Sequence, residues 1–591
     1  MKRKKPKPFS CDSVRDESLL FLSFDTETEG LGGKLLMITA CDLNKTHVFA
    51  GDSMLDDFMA LVASMPYPAI WYAHHAQYDW RYILPWIIEH AINCQISMRT
   101  ETDIYQIALE LDGNKIVMRD SLALFPAKLS ELAQTFCPEL PKGEIDIAHF
   151  DPCNPEHVEY AKRDAEILRR AMPRVDMLLR HHFGIGAGHT SAGTALNAWQ
   201  ATIPQGTYYD PTEYGPREDF IRSAYYGGLV FLTRNDLTEN HGEIAAETYD
   251  INSCYPHVME TFGVPYGRAI QTDDYETGEM GIYRARVKAP DNLVIPILPS
   301  RNERGHMQWV RGSFETVVTS AELIFAAQHG YIIEDILEGV AFEQTVFPFN
   351  AFIARCKELR KTYKGQPQEK LAKLMQNSLF GKFGSRRERM RIFHPEKDGD
   401  IIGASPVDAQ DYFWMRKEFE DNLRALPQWA VFITAHARLK LLQQIYTLGA
   451  DRVIYGDTDS ITCLAGHRAS FDVGDDYGQF KLERQWLSFR AIAPKVYVGT
   501  LPDGTYRGAA KGMRKASMER EHWRALHEGR RIRLAYPSLP SLRVAMKDGI
   551  KPARIAERSS TLLDNSAHWQ LTADGIRPKL AACKATLFNS D

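Results

Sequence analysis

Apolar residues along this chain gather into short continuous runs and helical stripes rather than long alternating stretches. LLFLSF (19–24) and AIWYA (69–73) are runs of strand length, the pattern of strands covered on both faces. The first leads into DTETEG, the second into HHAQYDWRYILPWI, whose tail has helical spacing. Asn154-Pro155 is a helix start, a capping side chain followed by proline at the first helical position. That helix is predicted to run to about Met172, ahead of Pro173. Strands alternating with helices predict an α/β domain over residues 1–185. Glycine and small residues thicken in GIGAGHTSAGTA (184–195), a boundary signal. Beyond it, EIAAETYDINSCYP (243–256) reads as a strand entering a turn. Residues 349–363 and 367–383 read as helices joined by KGQP, and VFITAHARLKLLQQIYTL (431–448) as a third. VIYGDTDSITCL (453–464) is two apolar runs meeting at Asp457 and Asp459. Residues 300–350 are mixed in pattern, and 385–428 read as a separate loop-rich insertion.

A chain of 591 residues implies roughly two to four domains. With 44% hydrophobic and 25% charged residues it has the composition of a soluble globular protein. No apolar run reaches the length of a membrane span. The basic start MKRKKPKPF has no apolar stretch behind it and so is not a secretory signal. Nine scattered cysteines without a CxxC pair predict a reducing compartment, hence a cytoplasmic protein, and no zinc ribbon. The net charge of -5 argues weakly against a nucleic-acid partner, but the distribution changes that. From Arg355 to Arg391 there are twelve Lys/Arg against three acids, and from Asp503 to Lys584 seventeen against eight. Two such stretches suit a phosphate backbone, although each taken alone equally fits a solvated helix face.

The candidate chemistry lies in two sets of carboxylates. Asp25 and Glu27 are two apart at a strand end and share a face. Asp79 follows the second strand, and Tyr160 and Asp164 are four apart on a helix. If these elements pack together, Asp25, Glu27, Asp79 and Asp164 converge and repel unless cations neutralise them. Oxygen-only ligands suit Mg2+ or Mn2+, and two such ions can activate a water and stabilise the leaving oxygen of a phosphodiester. The ordered combination resembles the DEDD-type 3′→5′ proofreading exonucleases with tyrosine in the third motif, where the tyrosine helps position the attacking water. The second set is Asp250 at a strand end with Asp457 and Asp459. Two ions bridged by Asp250 and Asp459 would hold a triphosphate and lower the pKa of a primer 3′-hydroxyl, for in-line phosphoryl transfer. In KLMQNSLFGKFG, Lys373, Asn377 and Gly381 recur every four residues along one helix face. Lys373 would meet the triphosphate, Phe380 would stack near the new base pair, and Gly381 would allow its close approach.

DINSCYP, KLMQNSLFGKFG and YGDTDS, in that order, resemble motifs A, B and C of the family B DNA polymerases. The compact length is similar to that of the protein-primed branch. So are YYGG (225–228), TAHAR (434–438), APKVYVG (493–499), SLALF (121–125) and KGEI (142–145). The resemblance spans roughly residues 20–500, with a weaker continuation at GAAKGMRK (508–515). It implies an α/β multidomain fold, an RNase H-like 3′→5′ exonuclease domain followed by a right-hand polymerase with two insertions. The implied divisions are exonuclease 1–185, palm 186–300 and 429–500, insertions 301–350 and 385–428, fingers 351–384 and thumb 501–591.

By the same resemblance, Asp250, Asp457, Asp459, Asp25, Glu27, Asp79, Tyr160, Asp164 and Lys142 are catalytic. The metal ligands are Asp250, the Ile251 carbonyl and Asp459 at one site, and Asp25, Glu27 and Asp164 at the other, with two Mg2+ or Mn2+ ions per site. The nucleotide set is Ile251, Ser253, Tyr255, Lys361, Lys373, Asn377 and Phe380, in which Tyr255 excludes a 2′-hydroxyl. The DNA set is His74, Tyr78, Ser121, Leu122, Tyr225, Gly227, Gly228, Ser378, Gly381, Thr434, Arg438, Lys495 and Tyr497. Implied partners are template-primer DNA with a displaced strand, dNTPs and a priming terminal protein that meets the first insertion. The second insertion would encircle DNA, and the protein would act as a monomer.

Three positions depart from the family pattern: His75 for Asn, Cys254 for Leu and Phe380 for Tyr. A DEDD nuclease with a C-terminal DNA clamp leaves Asp250, Asp457, Asp459 and Tyr255 unexplained. A decayed polymerase scaffold would have lost a metal ligand, and a reverse transcriptase usually sets its motif C acids side by side, whereas Thr458 separates them here. Priming by RNA or DNA, or without a primer, would use the same catalytic residues.

Overall fold

The computed structural model describes residues 19–538, with the longer internal breaks at 209–216, 233–243, 394–402, 407–413 and 421–425, and the strands Arg554–Ser560, Trp569–Thr572 and Gly575–Pro578 beyond. The apolar run at the start becomes the strand Leu20–Thr28, buried almost throughout. It pairs in parallel with Ala69–Ala73, which pairs in parallel with Asn114–Asp120, while Leu35–Cys41 joins it antiparallel. Across this sheet lies the helix Pro155–Phe183. Asn154 caps it by accepting from the Glu156 amide, and Gly184 ends it at φ 71°. Ser23 Oγ donates to Ala165 O at 2.6 Å and Thr39 Oγ1 to Ala161 O at 3.0 Å, pinning the helix over the strands.

The helix passes the stop predicted at Met172. Pro173 sits inside it, and Met172, Val175, Leu179 and Phe183 continue its buried stripe, so packing outweighs the missing hydrogen bond.

A five-stranded antiparallel sheet forms the second centre, ordered Phe480–Trp486, Ala246–Ile251, Ser460–Leu464, Val453–Asp457 and Val230–Leu232. Behind it the helices Ser191–Gln200, Pro367–Gly384 and Pro427–Leu448 meet in an aromatic knot. Trp199 stands edge-on to Phe383 at 5.1 Å and to Trp429 at 5.7 Å. The helices Asn350–Thr362 and Pro367–Gly384 fall where the pattern placed them.

Three sheets run across the predicted divisions. Residues 301–350, expected as an insertion, are tied into the region before them, because Ser313–Thr319 and Ile332–Val346 complete one sheet with Val264–Gln271 and Gly281–Lys288. A sheet of Ser488–Ala493, Val496–Thr500 and Tyr506–Ala510 crosses the boundary at 500/501. The insertion 385–428 is not detached either. Arg387–Phe393 pairs with Cys94–Thr100, and with Trp414–Glu420 and Ala404–Pro406 it extends the N-terminal sheet to ten strands. Among the described residues no helix is long and apolar enough to cross a membrane.

Candidate active sites

The N-terminal sheet gathers the predicted carboxylates. Thr26 Oγ1, between Asp25 and Glu27, donates to Asp79 Oδ1 at 2.7 Å. Lys142 Nζ donates to Tyr160 Oη at 2.9 Å and also bonds Asp164 Oδ2. Burial, with the charge of Asp164 next, pushes Asp25 up to about 7. Burial, then Asp25 and Asp164, pushes Glu27 up to about 9. Burial also raises Asp79, aided by Asp25, and raises Asp164 against the opposing pull of Lys142. Burial holds the Tyr160 phenol at about 12, so it stays a neutral donor.

Around this cluster, Tyr78 Oη accepts from the Gly32 amide and donates to Gly30 O, both at 3.1 Å. His74 Nδ1 lies 2.9 Å from Ser121 Oγ, and its pKa is lowered to about 4, chiefly by burial. His75 has φ 62° and donates its amide to Asp120 Oδ1 at 3.0 Å.

In the second sheet Asp250 is the cross-strand partner of Ser460, and the Ile251 amide donates to Asp459 O at 2.8 Å. Asp250 and Asp459 are therefore neighbours. Burial and Asp459 raise Asp250 to about 7, while burial and Asp457 raise Asp459 to about 6. Lys373 opposes both shifts from the helix Pro367–Gly384. Lys495 Nζ reaches Asp457 Oδ1 at 3.2 Å. Asp457, Asp459, Lys495 and Tyr497 line a cleft of about 350 Å³. Tyr255 stacks on Phe380 with centroids 4.1 Å apart, and the Asn377 side-chain oxygen is buried with no hydrogen-bond partner.

The donor sets fit hard divalent cations: clustered carboxylates with raised pKa values, and a buried, unpartnered Asp164 Oδ1. No three His, Cys, Asp or Glu side chains among the described residues form a ready-made cage. The protein would thus supply part of a shell that water and phosphate oxygens complete.

Four predicted DNA contacts make bonds within the protein. Ser121 is buried and donates to Ala73 O at 3.0 Å, so it orients His74 rather than facing a ligand. Thr434 is buried and bonds back to Ala430 O and Val431 O in its own helix. Arg438 is 1% exposed, paired with Glu322 at 2.6 Å, and donates to Tyr226 O and Gly227 O, each at 2.9 Å. It shapes the YYGG segment from behind. Ser378 spends its hydroxyl on Leu374 O of its own helix at 2.7 Å.

The remaining glycine positions differ in the space beside them. Gly227 is exposed with clear space beside it, and at Gly228 a Cβ would stand 2.6 Å from Thr458 Oγ1. Tyr225 and Leu122 are half-buried, and Gly381 has open space where a Cβ would be.

Two functional candidates escaped the sequence reading. Glu483 lines the cleft and raises both Asp250 and Asp459. The register slips between Leu482 and Arg484, and that bulge re-aims Glu483 in a way alternation does not signal. Lys361 is exposed, whereas its neighbour Arg360 reaches Ser253 Oγ at 2.9 Å. Arg360's place on the buried side of the helix, one residue after Leu359, was the available signal.

A family profile described as DNA polymerase type B, organellar and viral, matches residues 62–152 and 151–412. The DNA polymerase of Bacillus phage M2 is 27% identical over 491 residues, covering 77% of this chain and 79% of that protein. The DNA polymerase of Bacillus phage phi29 is 26% identical over 499 residues, covering 78% and 80%. The solved structure of phi29 DNA polymerase complexed with primer-template DNA and incoming nucleotide substrates superposes with a TM-score of 0.73 at 21% identity. The match covers 92% of this chain and 99% of that one. The expected fold class, an α/β multidomain chain, is the one observed.

Proposed function

The chain belongs to the organellar and viral type B family of DNA polymerases, and on that premise we propose that it carries two separate phosphoryl-transfer centres. It is a DNA-directed DNA polymerase. Extension is assigned to Asp250, Asp457 and Asp459, and 3′→5′ proofreading to Asp25, Glu27, Asp79 and Asp164. The observation that carries the first assignment is the adjacency of Asp250 and Asp459 on neighbouring strands, with Lys373 facing both.

Bound by Asp250, Asp459 and the Ile251 carbonyl, or by Asp25, Glu27 and Asp164, Mg2+ or Mn2+ would supply neutralisation of phosphate charge and acidification of the attacking hydroxyl or water. The chain's own side chains do the rest. Lys373 offers a point charge to the triphosphate. Tyr255, braced by its stack on Phe380, cannot swing away from a 2′-hydroxyl and so favours dNTPs. Asn377, whose side-chain oxygen is buried and unpartnered one turn along the helix from Lys373, is assigned to the same nucleotide. Lys495 and Tyr497 grip the primer end beside Asp457. In the editing centre Lys142 fixes Tyr160 and Asp164 together, and the neutral phenol is set to orient a water. His74, Tyr78 and Leu122 receive the frayed strand, while Tyr225, Gly227, Gly228 and Gly381 track the duplex.

Likeness to the Bacillus phage polymerases supports a role in phage DNA replication; protein priming, strand displacement and a terminal protein as partner are proposed from the motif resemblance alone. The test is incubation with Mg2+ and dNTPs on a primed template, an unprimed one, and an unprimed one with a candidate terminal protein. Extension of the first establishes the polymerase centre. Product covalently joined to protein on the third alone establishes the priming mode, and product on the bare unprimed template overturns it.

A further inference from the structure

Ser253, three residues after Asp250, has φ 49° and ψ 53°, a backbone conformation that residues with a side chain rarely adopt. A closed ring of side chains holds it there. Arg360 Nη1 donates to Ser253 Oγ at 2.9 Å and to Tyr477 Oη at 2.8 Å. Tyr477 Oη donates to Gln376 Oε1 at 2.9 Å, and Gln376 Nε2 returns to Ser253 Oγ at 3.4 Å. The four residues come from four places: the turn after Ala246–Ile251, the helix Asn350–Thr362, the helix Pro367–Gly384 and the loop before Phe480–Trp486.

Gln376 is fully buried, so both ends of its amide need these partners. Lys357 reinforces the ring, bonding both Glu260 oxygens at 2.8 and 2.7 Å while lying 4.4 Å from the Tyr477 ring centroid. The loop is also tied to the turn through its backbone. The Asn252 amide donates to Gln479 O and the Gly478 amide to Asn252 O, both at 2.8 Å.

We infer that Arg360, Gln376 and Tyr477 are positioning residues for the incoming nucleotide. They clamp both fingers helices onto the palm and hold the Ser253 turn in the shape that receives the triphosphate. The inference rests on reading Ser253 and Lys373 as nucleotide contacts. The turn and Lys373 share the helix Pro367–Gly384 as scaffold, because Gln376 and Lys373 lie one turn apart on it. Loosening the clamp therefore moves the fingers cation and the palm turn relative to each other.

The decisive variant is Tyr477→Phe, which keeps the ring under Lys357 and deletes the hydroxyl shared by Arg360 and Gln376. In primer extension the KM for dNTP is expected to rise about fivefold, the worth of one such hydrogen bond, while the maximal rate falls less than about twofold. Gln376→Met should do the same, and the double variant should exceed the larger single effect by no more than about twofold, since both break one ring. Single-strand degradation and the thermal midpoint, measured alongside, report the fold. An unchanged KM in Tyr477→Phe overturns the inference. So does a fall in maximal rate at constant KM, or a double variant whose effects multiply. An unchanged KM in Lys373→Ala would instead sink the underlying nucleotide site, and the clamp's role with it.

Discussion

In the N-terminal sheet the carboxylates come from a strand, a helix start and a long helix, and the cation beside them, Lys142, belongs to the same domain. In the five-stranded sheet the aspartates come from adjoining antiparallel strands, and the balancing Lys373 arrives on the helix Pro367–Gly384. The first centre is complete within its own domain yet more deeply charge-frustrated, with Glu27 pushed up to about 9 against about 7 for Asp250. The second is milder and depends on another part of the chain for its charge balance. Under the proposed assignment, editing would be built as a fixed device and extension as an assembled one, which suits a step that must wait for each nucleotide.

The sharpest way to break this comparison is a pair of substitutions. Asp459→Asn should lower primer extension by at least about a thousandfold and leave single-strand degradation within about twofold. Asp164→Ala should do the reverse. If either variant lost both activities, the two centres would not be separate.

A smaller effect should appear on removing divalent cations. Asp25 rises from 3.8 to about 7 and Glu27 from 4.5 to about 9, so the folded chain holds more protons than the unfolded chain across that interval. The stabilising contribution is complete below about pH 4 and is lost as pH rises through the folded values, so stability falls with pH. Asp250, at about 7, and Asp459, at about 6, act with the same sign but are spent before Glu27. In EDTA the thermal midpoint should therefore drop between about pH 5.5 and 8.5, and Mg2+ at the higher pH should restore it. Glu27→Gln should flatten the part above pH 7 selectively. A midpoint independent of pH in EDTA would contradict the charge-frustrated centre.

The smallest effect concerns His75, at φ 62°. Asparagine is the side chain best suited to that region, so His75→Asn should raise the midpoint by at most about 1 °C and speed degradation about twofold relative to extension. Slower degradation would mean that the imidazole itself serves the editing centre.

The acids were legible because strand ends and helical spacing dictate which faces they share. Asp25 with Glu27, and Tyr160 with Asp164, needed only the periods of the elements that carry them. The helix cap at Asn154 was legible for the same local reason. What escaped is what depends on distant partners. Pro173 looks like a stop until the stripe through Phe183 is seen to pack. The fifteen-residue strand Ile332–Val346 has a largely exposed pattern that only its sheet neighbours explain. Arg438 reads as a DNA contact on a helix face, but the face is internal and Glu322, 116 residues away, claims the guanidinium. Glu483 sits on a bulge, which breaks the alternation a strand reading relies on.

The strand Arg387–Phe393 follows the helix Pro367–Gly384 yet borders Cys94–Thr100 of the N-terminal sheet. Excising 385–428 to weaken the grip on DNA would bare that border, a row of unsatisfied backbone groups able to recruit the same border from another molecule. A trimmed enzyme would then clump, and its poor performance on long templates would be mistaken for lost processivity. Trimming only the outermost hairpin strand, Ala404–Pro406, leaves the seam closed and separates the two causes.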